Sequence, residues 1–328
     1  MIAAVLSREE SSSGRKAGAL AKMMKWSTPI ALIATFAVFA FLCPYFATMS
    51  NILDILNQSV VLGILGIAFM LPSVVGAMDV SVGVSCSLAG VAACMVFQRS
   101  CSTAAGIGAA LLVGLAIGIV NAFLCGVIGT QPFLATLSTT FIFQGVELMV
   151  TKASALYPSM PASYIYLGQG SIGRMPVAVV VLALCALGVQ CLLKSTRLGR
   201  HFYATGASRE TARACGIEVD RIIIAAFIMS GLLAALSGIM LSARLGSAQT
   251  MAGDGYLLYA IGSVFLGTTM FGRGEPNVWG TVVGSVFITL VENGLTMLGV
   301  WWYWQYVITG ILLIMSVMIS SVRRAHHV

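Results

Sequence analysis

Charge is what this sequence has least of. Asp, Glu, Lys and Arg together make up 9% of its 328 residues and apolar residues 59%, whereas a soluble domain carries about 25% charged residues. That scarcity excludes an ordinary soluble domain and predicts a polytopic membrane protein. Each crossing of a hydrocarbon core about 30 Å thick takes roughly 20 apolar residues, so the length has room for about ten spans and for no soluble domain of independent size. Organised cysteine is also missing. The eight cysteines show no Cys-x-x-Cys and no Cys/His metal spacing, fall mostly in apolar runs and read as small core hydrophobes, so no metal ligand set is assigned. His201, His326 and His327 form no triad with other polar residues, and no catalytic residue is assigned. No Gly-x-x-x-x-Gly-Lys-Ser/Thr occurs, so the polypeptide does not read as an ATPase. A net charge of +7 would point to nucleic acid in a soluble chain; here its distribution bears on topology, and no nucleic-acid partner is expected. Arg8, Arg15, Lys16, Lys22 and Lys25 precede an apolar run that leads to no small-x-small cleavage site, so residues 1–27 are expected to stay as a cytoplasmic tail before a retained first span.

What the sequence does have is a succession of apolar runs. Read against their polar punctuation, they predict spans near 28–43, 55–75, 82–97, 104–125, 133–150, 176–193, 222–241, 257–271, 278–298 and 303–320. The runs at 82–97 and 257–271 are short enough to be tilted or broken. With the N-terminus inside, the inner side holds five basic residues of the tail, six of segment 194–221, and Arg273, Arg323 and Arg324. The outer side holds only Arg99, Lys152, Arg174 and Arg244. This asymmetry predicts cytoplasmic termini, with a membrane domain over 28–320 and a C-terminal tail over 321–328. In the outer connection Thr151 to Met175, Tyr157, Tyr164 and Tyr166 read as an interfacial belt, with partner recognition as the alternative. Five spans per half would turn the second half upside down relative to the first, an all-α architecture of two inverted five-helix halves. Gly114-x-x-x-Gly118 is matched by Gly280-x-x-x-Gly284, and both read as helix-packing seams.

Between these spans lies one sizeable polar segment, 194–221. Ser208 suits a helix N-cap and Gly216 the position past a C-terminus, so a helix roughly 10 Å long fits between them, too short to cross a bilayer. Such an element is either an ordinary cytoplasmic loop or a docking element for something that works outside the membrane. Two further stretches break the apolar pattern. In Pro72 to Gly83, Pro72 ends or kinks a helix, Gly76 permits unusual backbone, and Asp79 or Ser81 can cap the span beginning near Val82. This is either a tight inside turn or a break lining a transport path. In Phe271 to Gly284, a glycine-rich turn with Arg273 near Glu275 is followed by Pro276 in a position suited to a helix's first turn. Glu147 and Glu292 lie near predicted span ends, where snorkelling or local hydrogen bonding accounts for them; a proton-coupled carrier is the sharper alternative.

Taken in order, four motifs resemble the membrane permease subunit of ribose-type sugar ABC importers, over about Asn51 to Ser320. Gly76-Ala77-Met78-Asp79-Val80-Ser81-Val82-Gly83 is similar to a Gly-Gly-Ile-Asp-Leu-Ser-x-Gly signature, with Ala77 replacing the second glycine. Pro132-Phe133-Leu134-Ala135-Thr136-Leu137 matches Pro-Phe-x-x-Thr-Leu. Thr196 to Gly199, Ala204-Thr205-Gly206 and Ala212-Arg213-Ala214-Cys215-Gly216-Ile217 resemble the family's cytoplasmic pattern. Phe271-Gly272-Arg273-Gly274 with Gly280-Thr281 stands where the family has Phe-Gly-Gly-x-Gly and Gly-Thr. Arg273 departs from the usual glycine, Gln144-Gly145 stands where Arg-Gly is common, and Glu147 is unusual at its position.

The resemblance implies an α-helical permease of the bacterial inner membrane that forms the pathway for a monosaccharide or sugar-like solute. It implies a second permease subunit, identical or paralogous, and two cytoplasmic ABC ATPases that hold ATP and Mg, with no cofactor on this chain. It also implies a periplasmic sugar-binding protein that delivers the solute. The short helix would then be a coupling helix, its site formed by Arg197, Gly199, Thr205, Gly206, Ala207, Ser208, Arg209, Ala212, Arg213, Gly216 and Ile217. Small residues there can lie close to a partner, and Arg209 and Arg213, four apart, can reach its acidic groups. Gly76, Asp79, Ser81, Gly83, Pro132, Phe133, Phe271, Gly272, Gly274, Gly280 and Thr281 would mark the pathway. An ion-coupled secondary transporter acting alone is the competing expectation.

Overall fold

A computed structural model describes residues 27–268, 274–301, 303–311 and 314. In chain order its helices are α1 (Ser27–Leu42), α2 (Met49–Val74), α3 (Val82–Phe97), α4 (Thr103–Ala122), α5 (Pro132–Thr151), α6 (Ala162–Gln169), α7 (Val177–Ser195), α8 (Arg197–Ala207), α9 (Arg209–Ala214), α10 (Val219–Leu245), α11 (Ala252–Thr268) and α12 (Val278–Met297). A helical stretch at 303–311 follows. The protein is all-α and multi-pass: among the described residues, α2, α4 with its π-helical extension Phe123–Val127, α5, α7, α10 and α12 are the six helices long and apolar enough to cross a membrane. At 16, 16 and 17 residues, α1, α3 and α11 reach about 24–26 Å at 1.5 Å per residue, short of the hydrocarbon thickness.

Helix ends follow local chemistry more closely than hydropathy. α2 starts at Met49, ahead of its apolar run, because the Thr48 hydroxyl accepts from the Asn51 amide at 3.4 Å and the Asn51 side chain donates to the Phe46 carbonyl at 2.9 Å. Pro72 does not end this helix, which runs on to Val74 before the chain turns at Gly76 with φ +73°. Pro276 does not enter α12. It precedes Asn277, whose side-chain oxygen caps the helix by accepting from the Gly280 amide at 2.7 Å.

The core is built around α2 and α10. Every residue of α2 from Ser59 to Pro72 is buried, the signature of a helix surrounded by protein on all sides. Association inside a membrane lacks the drive of expelling water, so close backbone approach has to supply the attraction. Small residues provide it here. A Cβ at Gly231 of α10 would overlap the Gly114 carbonyl of α4, and one at Gly238 would overlap the Cys86 carbonyl of α3. Gly280 and Gly284 of α12 pack in the same way on Gly267 and Ser263 of α11. Both glycine pairs are packing seams, as their spacing predicted. The outer helices expose Leu112, Phe141, Ile142, Leu184 and Leu187, the surface a lipid-facing helix carries.

Three expectations change. The connection from 151 to 175 is structured by α6 and a small hairpin, β1 (Ser171–Ile172) with β2 (Met175–Pro176). Tyr164 is not interfacial: it is fully buried, its hydroxyl 2.7 Å from Ser242 Oγ and its ring edge-on to Phe97 at 4.7 Å, because α6 lies against the end of α10. Tyr157 and Tyr166 are exposed. Cys43, Cys86, Cys94 and Cys125 are core residues, but Cys101, Cys191 and Cys215 are exposed at helix ends and turns.

Candidate functional site

The polar segment folds as two helices, of which the sequence reading found only the second. α8 is amphipathic. Phe202 and Thr205 are buried on one face while Arg197 and Arg200 stay in solvent, and the Thr196 hydroxyl caps it by accepting from the Gly199 amide at 3.2 Å. Gly199 lies so close to α7 that a Cβ would overlap the Leu193 backbone. α9 has the two ends its sequence predicts. At the first, Ser208 Oγ accepts from the Thr211 amide at 3.2 Å. At the other, Gly216 has φ +80°, the Gly216 amide donates to Arg213 O at 2.9 Å and the Ile217 amide to Ala212 O at 3.0 Å. These are the paired bonds of a Schellman motif, and they leave the helix closed at both ends.

This unit rests on the turn that leaves α2 and on the entry to α12. At Gly206 a Cβ would overlap the Val74 carbonyl, so α8 and α2 meet backbone to backbone. Arg209 Nη2 approaches the Gly76 carbonyl at 3.5 Å. The Tyr203 hydroxyl donates to Pro276 O at 3.3 Å; burial, and after it the Glu275 carboxylate, push this phenol above its usual range and keep it a donor. Ser73, Gly76, Tyr203, Gly206 and Glu275 border a cavity of about 300 Å³ between the three elements. Ala212 is buried against the chain, whereas Glu210, Thr211, Arg213 and Cys215 face outward. Arg213 pairs with Asp220 at 2.8 Å, both side chains about 60% exposed, and exposed pairs of this kind contribute about 0–1 kcal/mol.

Behind Gly76 the chain enters a buried polar cluster. Asp79 is 1% exposed. One carboxylate oxygen accepts from the Ser81 amide at 3.0 Å and the Ser81 hydroxyl at 2.6 Å, and the other from the Ser230 hydroxyl at 2.8 Å. Ser81 accepts from the Asn121 side chain at 2.7 Å, and Asn121 accepts from Thr139 at 2.8 Å. Thr136 receives the Val80 amide at 3.1 Å. The loop is thereby tied to α4, α5 and α10. The expected cap on α3 is absent: the Ser81 side chain makes no cap bond, since its hydroxyl is turned to Asp79.

Comparison with known proteins places this arrangement in a family. Residues 51–317 match the family described as the permease component of branched-chain amino acid transport systems. The chain is 33% identical to the ribose import permease protein RbsC of Escherichia coli (strain K12) over 312 residues, which is 94% of this chain and 97% of that protein. It is 35% identical to the D-allose transport system permease protein AlsC of the same strain, over 89% of this chain and 90% of that one. With the ribose import permease protein of Bacillus subtilis (strain 168) it shares 30% identity, over 92% of this chain and 94% of the relative. The chain belongs to the ribose-type permease family of ABC importers. No solved structure matches it. A permease is a transport subunit without catalytic chemistry of its own, and membership of an ABC importer system implies an ATPase and a solute-binding partner.

The remaining motif residues of this permease are dispersed. Gly83 of α3 meets the Gly253 backbone of α11. Pro132 occupies the first turn of α5, with Phe133 exposed beside it. Gly280 and Thr281 are buried at the start of α12, and Gly274 has φ +86°. Phe271, Gly272 and Arg273 lie outside the described residues, as do residues 1–26 and 315–328 with their basic side chains and terminal histidines. Glu147 does not snorkel: it is fully buried and accepts from the Ser87 hydroxyl and, at 2.8 Å, the Met251 amide. Gln144 donates to Asp254 at 2.7 Å beside it. The polar cluster around Asp79 was missed except for Asp79 and Ser81. Its one signal in the sequence is Asn121, an amide isolated in an apolar run.

Proposed function

We propose that this permease carries a monosaccharide-class solute and is driven by ATP hydrolysed on separate cytoplasmic subunits that push on α8 and α9. The observation that carries this reading is α9 itself. It is a helix of six residues, closed at both ends, presenting Thr211, Arg213 and Cys215 outward and joined at Ser208 to α8, which rests through Gly206 on the end of α2. A carrier working alone has no use for a rigid capped helix outside the bundle. Arg197, Ala207 and Ser208 are exposed and Arg209 is half-buried, while Gly199, Thr205 and Ala212 are buried and Ile217 half-buried within the unit. The names of the ribose and D-allose relatives favour a monosaccharide as solute.

Ten crossings with both termini cytoplasmic agree with the side on which basic residues gather. Two inverted halves are supported by how helices pack: α4 lies along α10 as α12 lies along α2, and α3 along α4 as α11 along α12. The two glycine pairs do not add to this, because one faces α10 and the other α11. The bacterial inner membrane, a second permease subunit, two ABC ATPases with ATP and Mg, and a periplasmic sugar-binding protein complete the importer.

Transport then follows from linkage. ATP-bound partners hold α9 in one position, and the pathway changes its open side because the two orientations differ in their contacts with those partners; a ligand shifts an equilibrium only by its differential affinity. Displacement of α9 is passed to α2 at Gly206 and to the Asp79 cluster at Gly76, and so to α4, α5 and α10. Arg209→Glu should insert normally and lower ATP-driven uptake of labelled ribose or allose at least about tenfold, roughly 1.4 kcal/mol of coupling. Uptake at the wild-type rate, or uptake lost on collapsing the proton gradient alone, speaks for the lone carrier.

A further inference from the structure

The end of the bundle opposite α8 and α9 holds a cavity of about 530 Å³ between α2, α11, α12 and the 303–311 stretch. That volume lies within the range of roughly 300–1,000 Å³ typical of small-molecule sites. Its described lining includes Gln58, Tyr256, Tyr259, Glu292, Asn293 and Gln305. Polar groups inside a membrane are costly and mark solute or ion paths by default, and here four elements bring six of them to one place. Tyr259 lies about 10 Å along α11 from its start, at 1.5 Å per residue, so the lining extends well below the rim. Its phenol and the Glu292 carboxyl group are in hydrogen-bonding proximity. The Asn293 side-chain oxygen is buried with no hydrogen-bond partner among the described residues. Gln305 is held in place by bonds from its amide nitrogen to Thr296 Oγ1 at 3.3 Å and Val300 O at 3.1 Å.

The chemistry of this lining selects a class of ligand. The carboxyl and carboxamide oxygens accept hydroxyl hydrogens, and the phenols supply both a hydroxyl and apolar ring surface. No Lys, Arg or His is among the described lining residues, so nothing there attracts a phosphate or carboxylate. We infer that this cavity is a solute-binding vestibule for a neutral polyhydroxylated molecule of monosaccharide size, with Glu292 as its hydroxyl acceptor. The permease therefore discriminates between solutes itself instead of passing on whatever is delivered. This inference rests on the permease reading, but not on how α9 is driven.

The test uses Thr296→Cys, at the cavity rim, in the full chain in membrane vesicles, labelled with a membrane-impermeant maleimide. The unsubstituted chain gives the background from its exposed cysteines. Labelling should occur only from the side opposite α9. Millimolar ribose or allose should slow it at least threefold, leucine should not, and Glu292→Ala, which removes the acceptor, should abolish the sugar protection without lowering the amount of inserted chain. Labelling from the α9 side, absence of protection by either sugar, equal protection by leucine, or undiminished protection in Glu292→Ala each overturns the assignment. Protection by a cationic amino sugar alone also overturns it, since Glu292 would then bind charge, not hydroxyls. Lost protection with ATP-driven uptake intact rejects the vestibule alone; intact protection without ATP-driven uptake rejects the coupling alone.

Discussion

Asp79 shows how a single buried side chain can fasten a loop. Its carboxylate is the acceptor for three donors, the Ser81 amide, the Ser81 hydroxyl and the Ser230 hydroxyl. Leaving a buried donor unpaired costs about 1–3 kcal/mol. Asp79→Ala should therefore lower the unfolding temperature of the detergent-solubilised protein by the equivalent of about 1–3 kcal/mol per orphaned group, and Asp79→Asn by less, since the amide keeps one acceptor oxygen. Identical melting of Asp79→Ala and wild type would remove Asp79 from this role. Glycine offers a matched comparison. Gly206→Ala drives a Cβ into the Val74 carbonyl, whereas Gly145 has nothing within 4 Å of such an atom. Overpacking of a close contact costs about 1–3 kcal/mol, so Gly206→Ala should melt lower while Gly145→Ala stays unchanged or rises slightly. If the two melt alike, α8 does not seat on α2 through this contact.

At the scale of elements, α9 stands on its caps. Gly216 holds a left-handed backbone that costs another residue about 1–2 kcal/mol, and loss of a Ser cap costs about 1 kcal/mol. Gly216→Leu and Ser208→Ala should each speed hydrogen exchange of the α9 amides, leave exchange in α10 unchanged, and reduce ATP-driven uptake. Unaltered α9 exchange in both would deny the caps their part. These ends were legible in the sequence because caps are local, set by residues within one turn of the helix. Six of the ten expected spans were legible for the same kind of reason, since an apolar run reports its own burial. α8 was not: its face of Leu198, Phe202 and Thr205 is short and interrupted by arginines, and it becomes a face only against α2 and α7. The cluster around Asp79 was not legible either, because its donor Ser230 lies 151 residues away and Asn121 and Thr139, which continue the network from Ser81, come from two further helices. Pro276 misled because a proline suits the first turn of a helix, yet Asn277 is the better cap and fixes the start at Val278, two residues later.

For the whole molecule, sequence periodicity indicated an all-helical membrane bundle, and family membership makes it a permease. What neither carries is which parts move. The largely buried α2 and the small-residue seams of α10 make a centre that other helices grip by backbone contact, and the α8–α9 unit bears on the elements joined to that centre. An input at α9 is therefore positioned to be felt at α2, α10 and, across the bundle, at the Glu292 cavity. The central claim is that this input comes from a separate ATPase. It is tested most directly by purifying the full chain from its native membrane, identifying the co-purifying subunits and measuring ATP hydrolysis. The expected result is one ABC ATPase subunit per permease chain, with hydrolysis in the eluate, both diminished severalfold by Arg209→Glu at equal chain recovery. Recovery of an active transporter with no ATPase, or of the same ATPase in full amount with Arg209→Glu, would contradict it.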